Sequence, residues 1–353
     1  MTVRAGDAVD VLLVSLGSTA GLRAVDGELV DSMRRAGARV AVAAARPTRT
    51  VRTLALTDLG WALAARRAAE AELSRLTPAA VIYSTCTAAL FWPRPGAIRF
   101  DATAAANRPG RHGFWQRPVE RRRLRGASLL LPQSEGALSE LPGGETGGVP
   151  AIVVPVPVEP SRPVSEQGAP AGAAGDEPGA RDIAAITYAA NPHKKGLDRV
   201  LAAWRAARRP GEELLVAGAR AEDLRAAGYE LAGEEGVRVL GLLATGEYRA
   251  LLRRARVFLC APRREDYGIA QLEALADGCL LVTTPAPGPY VALPIARALD
   301  GRLVGDDLSG SLRIALEDPT SGYAARAREA LLPFARAAVD RVVAEQLLPR
   351  LLP

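Results

Sequence analysis

The chain has 353 residues, which is long for one average domain and typical of two. Apolar residues make up 48% and aromatic residues 5%, so the core must be aliphatic, and no apolar run reaches the roughly 18 residues of a membrane span. Three cysteines without C-x-x-C spacing and only two histidines argue against a zinc site and for reduced thiols. No apolar stretch at the N-terminus resembles a secretory signal, so the sequence predicts a cytoplasmic protein.

Short apolar runs alternate with helix-like segments along the first half of the chain. The predicted strands are residues 9–17, 39–45, 79–85, 97–101, 128–132 and 152–156. These runs contain few alternating polar residues, as expected of a parallel sheet that is covered by helices on both faces. Residues 1–158 are therefore predicted to form one α/β unit.

Two of these strands end in residues that could meet a ligand, because ligands of α/β units bind at strand ends. The first strand leads into a small-residue loop at Gly17, ahead of a helix predicted over residues 25–36. The loop lacks G-x-G-x-x-G spacing, which disfavours a dinucleotide site and leaves a bare strand-to-helix turn as the alternative. The fourth strand ends at Asp101, whose carboxylate could bind a hydroxyl group of a ligand and take its proton, or could cap the next helix.

Positive charge is concentrated between Arg108 and Arg125, where there are seven arginines and one glutamate. Residues 118–125 are typical of a solvated helix face. The alternative is a contact surface for an anionic or membrane-carried acceptor, with the protein at the inner face of the membrane. A nucleic-acid partner is disfavoured because no recognised binding module accompanies the arginines. His112, on a glycine-flanked loop, is a weaker candidate for closing over a ligand.

The second half begins after residues 159–181, which are rich in Pro, Ala, Gly and Ser and are predicted to be a flexible linker. The predicted strands that follow are residues 183–190, 213–218, 237–242, 257–261 and 280–284. Residues 182–330 are therefore predicted to form a second α/β unit. The stretch 323–352 is predicted to be long, helical and amphipathic, and a C-terminal helix over 331–353 could pack on either unit.

Glu265 and Glu273 lie eight positions apart across a predicted strand-to-helix connection. The strand leads into a loop with the first carboxylate, and Gly268 begins a short helix that carries the second. Such a helix offers backbone N–H groups and a positive dipole end to an anion, and carboxylates accept hydrogen bonds from sugar hydroxyls. The pattern therefore predicts a site for a phosphorylated sugar. Two solvated carboxylates beside a strand–helix unit are the alternative.

The segment around these two glutamates resembles the E-x7-E region of retaining glycosyltransferases with the GT-B fold, of the glycosyltransferase family 4 type. The resemblance extends to residues 186–204, 237–257 and 278–284, and so covers nearly all of 183–289. It implies two Rossmann-like domains facing a central cleft, with a hydroxyl acceptor bound by the N-terminal domain. It also implies a nucleotide-sugar donor, UDP- or GDP-linked, in the C-terminal domain, and no cofactor or obligatory metal.

The resemblance implies a role for each matching residue of the second half. Lys195 would neutralise the donor diphosphate as the nucleotide leaves, which a lysine and helix N-terminal amides can do without a metal. Glu265 would bind the hydroxyls of the donor sugar, and Glu273 would bind those of the ribose. The residues that would offer backbone N–H groups to the sugar and phosphates are Tyr267, Gly268 and Ile269. A surface lysine ahead of a helix is the alternative for Lys195.

Some positions match the family less well. In the N-terminal domain, the Gly17 N–H would touch the donor phosphate, and Asp101 stands where the family often has a histidine that contacts the donor sugar. The family usually has an arginine five or six residues before the lysine, where this chain has Ala190 and Ala189. After the last strand the family often has Gly-x-Pro-Glu, whereas this chain has a tyrosine, Tyr290, after Gly-Pro.

The missing arginine leaves a phosphate contact either absent or supplied by a neighbouring cation. The candidates for that contact are His193, Lys194 and Arg264. These departures keep two other interpretations open. One is a catalytically silent GT-B relative that acts as a partner subunit or sugar-binding protein. The other is a sugar-nucleotide epimerase or hydrolase on the same fold.

Overall fold

The computed structural model describes residues 9–47, 53–108, 110–141, 146–161 and 181–352, and the chain divides into two compact units. The first unit comprises Met1–Pro157 and Phe334–Pro353, and the second comprises Val158–Pro333. Each unit is built on a five-stranded sheet in which all neighbouring strands run parallel. The prediction of two parallel α/β units is confirmed.

The first unit has the strand order β2-β1-β3-β4-β5, so the winding direction reverses between β1 and β3. Its strands are β1 (Val11–Ser15), β2 (Val40–Ala44), β3 (Ala80–Tyr83), β4 (Ala97–Phe100) and β5 (Leu130–Pro132). Its first six helices are α1 (Ala20–Arg35), α2 (Leu54–Leu73), α3 (Cys86–Ala89), α4 (Ala104–Asn107), α5 (Gln116–Arg125) and α6 (Glu135–Ser139). Alternate residues of β1 enter the two core layers, Leu12 on one face and Leu13 on the other.

Residues 152–156 do not form the predicted strand. Ile152 N and Val154 N donate to the carbonyls of Leu130 and Pro132, at 2.9 Å each, but the pairing with β5 amounts to an isolated bridge. Pro132 of β5 has no N–H to donate back to Ile152 O, so a regular ladder cannot continue. The strand prediction is wrong here because it followed the apolar side chains and ignored the missing donors.

Helix α1 begins earlier than predicted, at Ala20 instead of residue 25. Thr19 precedes it in an extended conformation, and its hydroxyl accepts a hydrogen bond from Leu22 N at 3.1 Å. This is the usual way in which a threonine satisfies a free amide at the start of a helix. The apolar periodicity that sets in at Val25 marks only the buried part of the helix.

The second unit has the strand order β10-β9-β6-β7-β8. Its strands are β6 (Ile183–Tyr188), β7 (Leu214–Ala217), β8 (Val237–Gly241), β9 (Ala255–Cys260) and β10 (Leu280–Thr283). Its helices are α7 (Leu197–Ala207), α8 (Ala221–Ala226), α9 (Thr245–Arg254), α10 (Ile269–Ala276), α11 (Ala292–Leu299), α12 (Leu308–Glu317) and α13 (Tyr323–Ala330). The order reverses between β6 and β9, and the loops after these two strands meet at the carboxyl edge of the sheet, where α/β proteins bind ligands.

The end of the chain lies in the first unit. It forms α14 (Arg336–Val342), a π-helical turn at Val343–Leu347 and α15 (Leu348–Leu351), with Val339, Val343 and Leu347 buried in the core of that unit. Asp340 accepts from Ser32 Oγ at 2.6 Å and from the guanidinium of Arg35 at 2.7 Å. The predicted continuous helix is interrupted after α13, because the short 3-10 turn Leu332–Phe334 is centred on a proline.

The predicted linker falls mostly on residues 162–180, which lie outside the described residues. Its two described ends both lie in the second unit and meet at the end of α10. Ser161 N and Oγ donate to Asp277 Oδ1 at 2.8 Å each, and Arg181 Nη2 donates to Asp277 O at 2.6 Å. The chain therefore leaves the first unit at Pro157, before the segment that composition marks as a linker.

All three cysteines are buried and free. Within the described ranges, no helix combines the length and the apolar character that crossing a membrane requires.

Candidate functional site

The loop between β6 and α7 brings Lys194 and Lys195 to the reversal point of the second sheet. Asn191 shapes the loop, because its side chain accepts from Lys194 N at 3.0 Å and its carbonyl accepts from Lys195 N at 2.8 Å. Gly196 follows with a φ of +66°, and a Cβ there would lie 1.9 Å from the carbonyl oxygen of Ala261. Only glycine permits this approach to the end of β9.

Lys195 and Glu265 form an ion pair across the two loops. The Lys195 Nζ lies 2.6 Å from Glu265 Oε2, and Gln271 Nε2 donates to the same oxygen at 3.0 Å. The Glu265 side chain is 6% exposed and the lysine side chain is 22% exposed. The carboxylate is therefore held between an ammonium and an amide at the edge of solvent.

A second carboxylate, Asp266, gathers two more cations beside this pair. Lys194 Nζ lies 2.5 Å from Asp266 Oδ2, and Arg264 Nε lies 2.7 Å from Oδ1. Burial opposes ionisation of Asp266, but Lys194 and Arg264 outweigh it and hold the pKa of that carboxyl below its usual value. Three cations, Lys194, Lys195 and Arg264, thus surround the two carboxylates, which leaves this cluster with a net positive charge.

The backbone around Glu265 is fixed by the loop after β10. Glu265 N donates to Pro287 O at 3.0 Å, and Tyr290 N donates to Glu265 O at 3.2 Å. Gly288, with a φ of +108°, lets this loop approach, because a Cβ there would lie 2.3 Å from Glu265 O. Tyr290 also has a positive φ, of 24°, and its hydroxyl contacts Thr283 Oγ1 at 2.6 Å. Tyr290, which stands where the resemblance would lead one to expect a glutamate, is thus a buried support of the loop.

Helix α10 begins directly after Gly268, which has a φ of +95°. Among the described residues, the amides of Gly268, Ile269 and Ala270 donate to no protein acceptor, as is usual for the first turn of a helix. Tyr267 is buried, and its carbonyl accepts from Val291 N at 3.0 Å. The positive end of the helix therefore opens beside the Lys195–Glu265 pair.

Glu273 lies one turn into α10, with 21% of its side chain exposed. Arg249 of α9 reaches it with Nη1 at 3.5 Å and contacts Asp277 with Nε at 2.5 Å. Burial raises the pKa of Glu273 in spite of the nearby guanidinium. The same arginine donates from Nη2 to Glu159 O at 2.7 Å, which ties the position of Glu273 to the first residues of the second unit.

The second unit thus brings together the predicted residues Lys194, Lys195, Glu265, Tyr267, Gly268, Ile269 and Glu273. The other two predicted residues, Gly17 and Asp101, belong to the first unit, where they follow β1 and β4. Gly17 has a φ of +54°, and its carbonyl accepts from Arg23 Nη1 at 2.8 Å. Asp101 is half-buried and does not cap a helix, since Thr103 precedes α4 and Glu120 binds the first amide of α4.

The arginine-rich segment forms α5 and the turn before it. Arg121, Arg122 and Arg125 are exposed, as expected of a solvated helix face, whereas Glu120 and Leu124 are buried. His112 lies on an exposed 3-10 turn, Gly110–Gly113. The basic surface is therefore separate from the buried face that holds the helix on its unit.

Sequence reasoning missed Asp266, Gln271 and Arg249, each of which holds one of the predicted glutamates or lysines. A signal for the lysine site was present in the composition. Only two of the 45 basic Lys and Arg residues are lysines, and they are the adjacent pair Lys194 and Lys195. A chain that uses arginine everywhere else keeps the compact, flexible ammonium at this one loop.

Comparisons with known proteins find similar sequences for part of this chain. Residues 182–316 match the family model described as "Glycosyl transferases group 1". Over 105 residues the chain is 34% identical to the GDP-mannose:cellobiosyl-diphosphopolyprenol alpha-mannosyltransferase of Xanthomonas oryzae pv. oryzae. That match covers 28% of this chain and 27% of the relative, so it spans about a quarter of each.

Two solved structures share the fold over almost their whole length. Sucrose-phosphate synthase from Thermosynechococcus elongatus superposes with a TM-score of 0.74 at 15% identity, covering 98% of this chain and 99% of that one. Alr3699/HepE from Anabaena, solved with UDP and glucose, gives a TM-score of 0.66 at 14% identity, covering 96% and 99%. The fold is therefore GT-B, and the part of the chain that resembles the group 1 glycosyl transferases lies within the second unit.

Proposed function

We propose that this protein is a retaining glycosyltransferase of the family 4 type, with its E-x7-E motif running from Glu265 to Glu273. It moves a sugar from a nucleoside diphosphate donor to a hydroxyl acceptor and has no obligatory metal. The observation that carries the proposal is the 2.6 Å contact between Lys195 and Glu265 beside the open start of α10. At the point where the strand order reverses, the cation and the free amides would bind the diphosphate of a sugar diphosphate, and the carboxylate would bind its sugar hydroxyls.

The chemistry follows from the charges of the donor. The bond between the sugar C1 and the diphosphate oxygen breaks, while the acceptor oxygen bonds to C1 from the same face and its proton passes to the departing phosphate. Lys195 and the first amides of α10 stabilise the negative charge that grows on the diphosphate. Glu265, which Gln271 holds in place, binds hydroxyls of the donor sugar, and Glu273 binds those of the ribose.

Lys194 and Arg264 take the place of the missing phosphate-binding arginine in this proposal. Ala190 is exposed and offers no charge, whereas both cations converge on Asp266 next to Glu265. Their carboxylate partner keeps them in position without neutralising the site. Asp101 of the first unit is proposed to bind the acceptor hydroxyl, and the Gly17 N–H is proposed to touch the donor phosphate.

The donor is proposed to be UDP- or GDP-linked. The name of the Xanthomonas relative specifies GDP-mannose, and the HepE structure contains UDP and glucose. The same relative acts on a cellobiosyl-diphosphopolyprenol, which supports an anionic, lipid-linked acceptor for this chain. Exposed arginines on α5 and Phe114, which is 67% exposed, support a peripheral membrane contact in residues 108–125.

The test is sugar transfer by the purified protein with UDP-, GDP- and dTDP-sugars, with and without a polyprenol-diphosphate acceptor and with and without EDTA. Turnover that needs the acceptor and survives EDTA supports the proposal, and the anomeric configuration of the product checks retention. Donor turnover at the same rate with and without the acceptor would favour an epimerase or hydrolase. A protein that binds the donor but shows no turnover, either as the parent chain or as the Ala190→Arg variant, would favour a catalytically silent relative.

A further inference from the structure

Three neighbouring strands of the second sheet end in an unusual set of side chains. Strand β6 ends at Tyr188, β7 is followed by Gly218, and β8 is followed by Leu242. Gly218 N donates to Gly241 O at 2.9 Å, so the ends of β7 and β8 stay together. An aromatic ring, a position without a side chain and a leucine that is 60% exposed therefore lie side by side at the carboxyl edge.

Tyr188 is held rigidly but is not part of the closed core. Its ring lies 5.4 Å from that of Tyr248, tilted by 54°, which is a favourable arrangement for two aromatic rings. It also lies directly over Gly218, because a Cβ at that glycine would come within 2.5 Å of Tyr188 Cε2. Tyr188 is half-buried, so the residue keeps contact with solvent at the edge of the sheet.

The ring lies close to the carboxylate proposed for the ribose. Tyr248 and Arg249 are consecutive residues of α9, and Arg249 contacts Glu273 at 3.5 Å, so Glu273 lies near the turn of α9 that carries Tyr248. Burial raises the pKa of Tyr188, and the negative charge of Glu273 raises it further. A base attached to a ribose held by Glu273 would thus reach the solvent-exposed part of Tyr188.

We propose that Tyr188 is the aromatic surface on which the base of the donor nucleotide stacks, an inference that rests on the proposed function. Tyr248 supports the ring from behind, and Gly218 provides the space that the ring occupies. Leu242 gives the neighbouring edge an apolar contact for the base. Stacking on an aromatic side chain tolerates different bases, so Tyr188 contributes affinity for the nucleoside without choosing between UDP and GDP.

The experiment compares binding of UDP, GDP and inorganic pyrophosphate by calorimetry in the full chain and in variants at position 188. Tyr188→Ala should weaken UDP or GDP binding at least tenfold, the effect usual for a lost base stack, and leave pyrophosphate binding unchanged. Tyr188→Phe should bind like the parent chain. Tyr188→Leu fills the apolar space without an aromatic face, so it should keep the thermal stability and still lose nucleotide affinity.

The variant Lys195→Ala separates this inference from the proposed function. Nucleotide binding that weakens in Lys195→Ala but is unchanged in both Tyr188→Ala and Tyr188→Leu would overturn the stacking role alone. The stacking role is also overturned if Tyr188→Ala weakens pyrophosphate binding as much as UDP binding, because the effect would then be structural. A parent chain that binds neither UDP nor GDP would overturn the proposed donor together with this site.

Discussion

Lys195 and Glu265 each balance a charge that would otherwise be poorly solvated, which makes the pair sensitive to the loss of either partner. Lys195→Ala removes the cation proposed to meet the leaving diphosphate, and Glu265→Ala removes the proposed ligand of the sugar hydroxyls. Each should lower kcat/KM at least about tenfold, or about 1.4 kcal/mol of transition-state stabilisation. Steady-state kinetics with the donor identified by the transfer screen measures both.

Arg199→Ala is the matched control for this pair, since Arg199 is an exposed cation one turn beyond Lys195. It should leave kcat/KM unchanged. Lys195→Arg keeps the charge in a longer and planar group, so an intermediate rate is expected. If Lys195→Ala and Glu265→Ala both keep normal rates while the parent enzyme is active, the chemistry lies elsewhere.

At the scale of elements, helix α7 depends on the turn that Gly196 makes against β9. Gly196→Ala would place a Cβ 1.9 Å from Ala261 O at a φ of +66°, so the loop and both lysines must move. We expect a loss of at least about 2 kcal/mol of unfolding free energy, within the usual cost of such backbone strain. Activity should fall as well, because Lys195 precedes the glycine. Urea unfolding and kcat/KM measure the two effects.

Gly211→Ala is the control that shows the effect of a positive φ without a steric clash. Gly211 has a φ of +84° in the same unit, but no atom lies within 4 Å of the position of its Cβ. This variant should lose only the cost of the positive φ, about 1 kcal/mol, and stay fully active. Equal losses in the two variants would show that the approach of the loop to β9 does not matter.

The stability of the first unit should depend on pH through Glu120 of α5, which binds the first amide of α4. The Glu120 carboxylate accepts from Ala104 N at 2.8 and 3.0 Å, and burial raises the pKa of Glu120 to about 7 although this donation opposes the shift. Its usual value is 4.5, so the folded state binds a proton that the unfolded state releases. The unfolding free energy should therefore fall as pH rises from about 4.5 to about 7, by up to about 3 kcal/mol.

Glu120→Gln keeps an acceptor for Ala104 N and cannot ionise. Chemical unfolding at pH 5 and at pH 8 should show a larger loss of stability in the parent chain than in this variant. The Cys86 side chain and the charge of Arg108 also lower the pKa of Glu120, and both residues are present in both chains, so the difference isolates the one carboxyl. Parallel pH profiles would contradict the assignment.

Strands and helices were predictable from the sequence where the pattern of apolar side chains alone determines them. The ten strands of the two sheets follow the apolar runs, because a strand covered on both faces is apolar throughout. The prediction failed at residues 152–156, where missing amide donors decide, and after α13, where a proline ends the helix. Both failures concern backbone hydrogen bonds, which an apolar pattern does not report.

The site was predictable only as a set of residues without distances. Glu265, Gly268 and Glu273 share one local motif, so spacing was enough to connect them. Lys195 is 70 positions from Glu265 and meets it because β6 pairs with β9, a choice of neighbours that no local pattern contains. Asp266 was missed for the same reason, since its partner Lys194 comes from the distant loop.

At the scale of the whole molecule, the first unit is completed by the end of the chain. Val339, Val343, Leu347 and Leu351 are buried in its core, and Asp340 binds Ser32 and Arg35. Burying four aliphatic side chains contributes about 6 kcal/mol or more, which is comparable to the total stability of a domain. A chain that stops at residue 333 should therefore lose the folded first unit, although residues 1–157 are intact.

Calorimetry can follow this loss unit by unit. Residues 158–333 expressed alone give the reference transition of the second unit, which should persist in the chain that stops at residue 333 while the other transition disappears. Leu347→Ala in the full chain should destabilise only the first unit, by about 3 kcal/mol, as buried leucine truncations do. Arg341→Ala, at an exposed position of the same segment, should change neither transition. If both transitions survive in the shortened chain, residues 9–157 fold without residues 334–353. The burial of that segment would then only add to a core that is already stable.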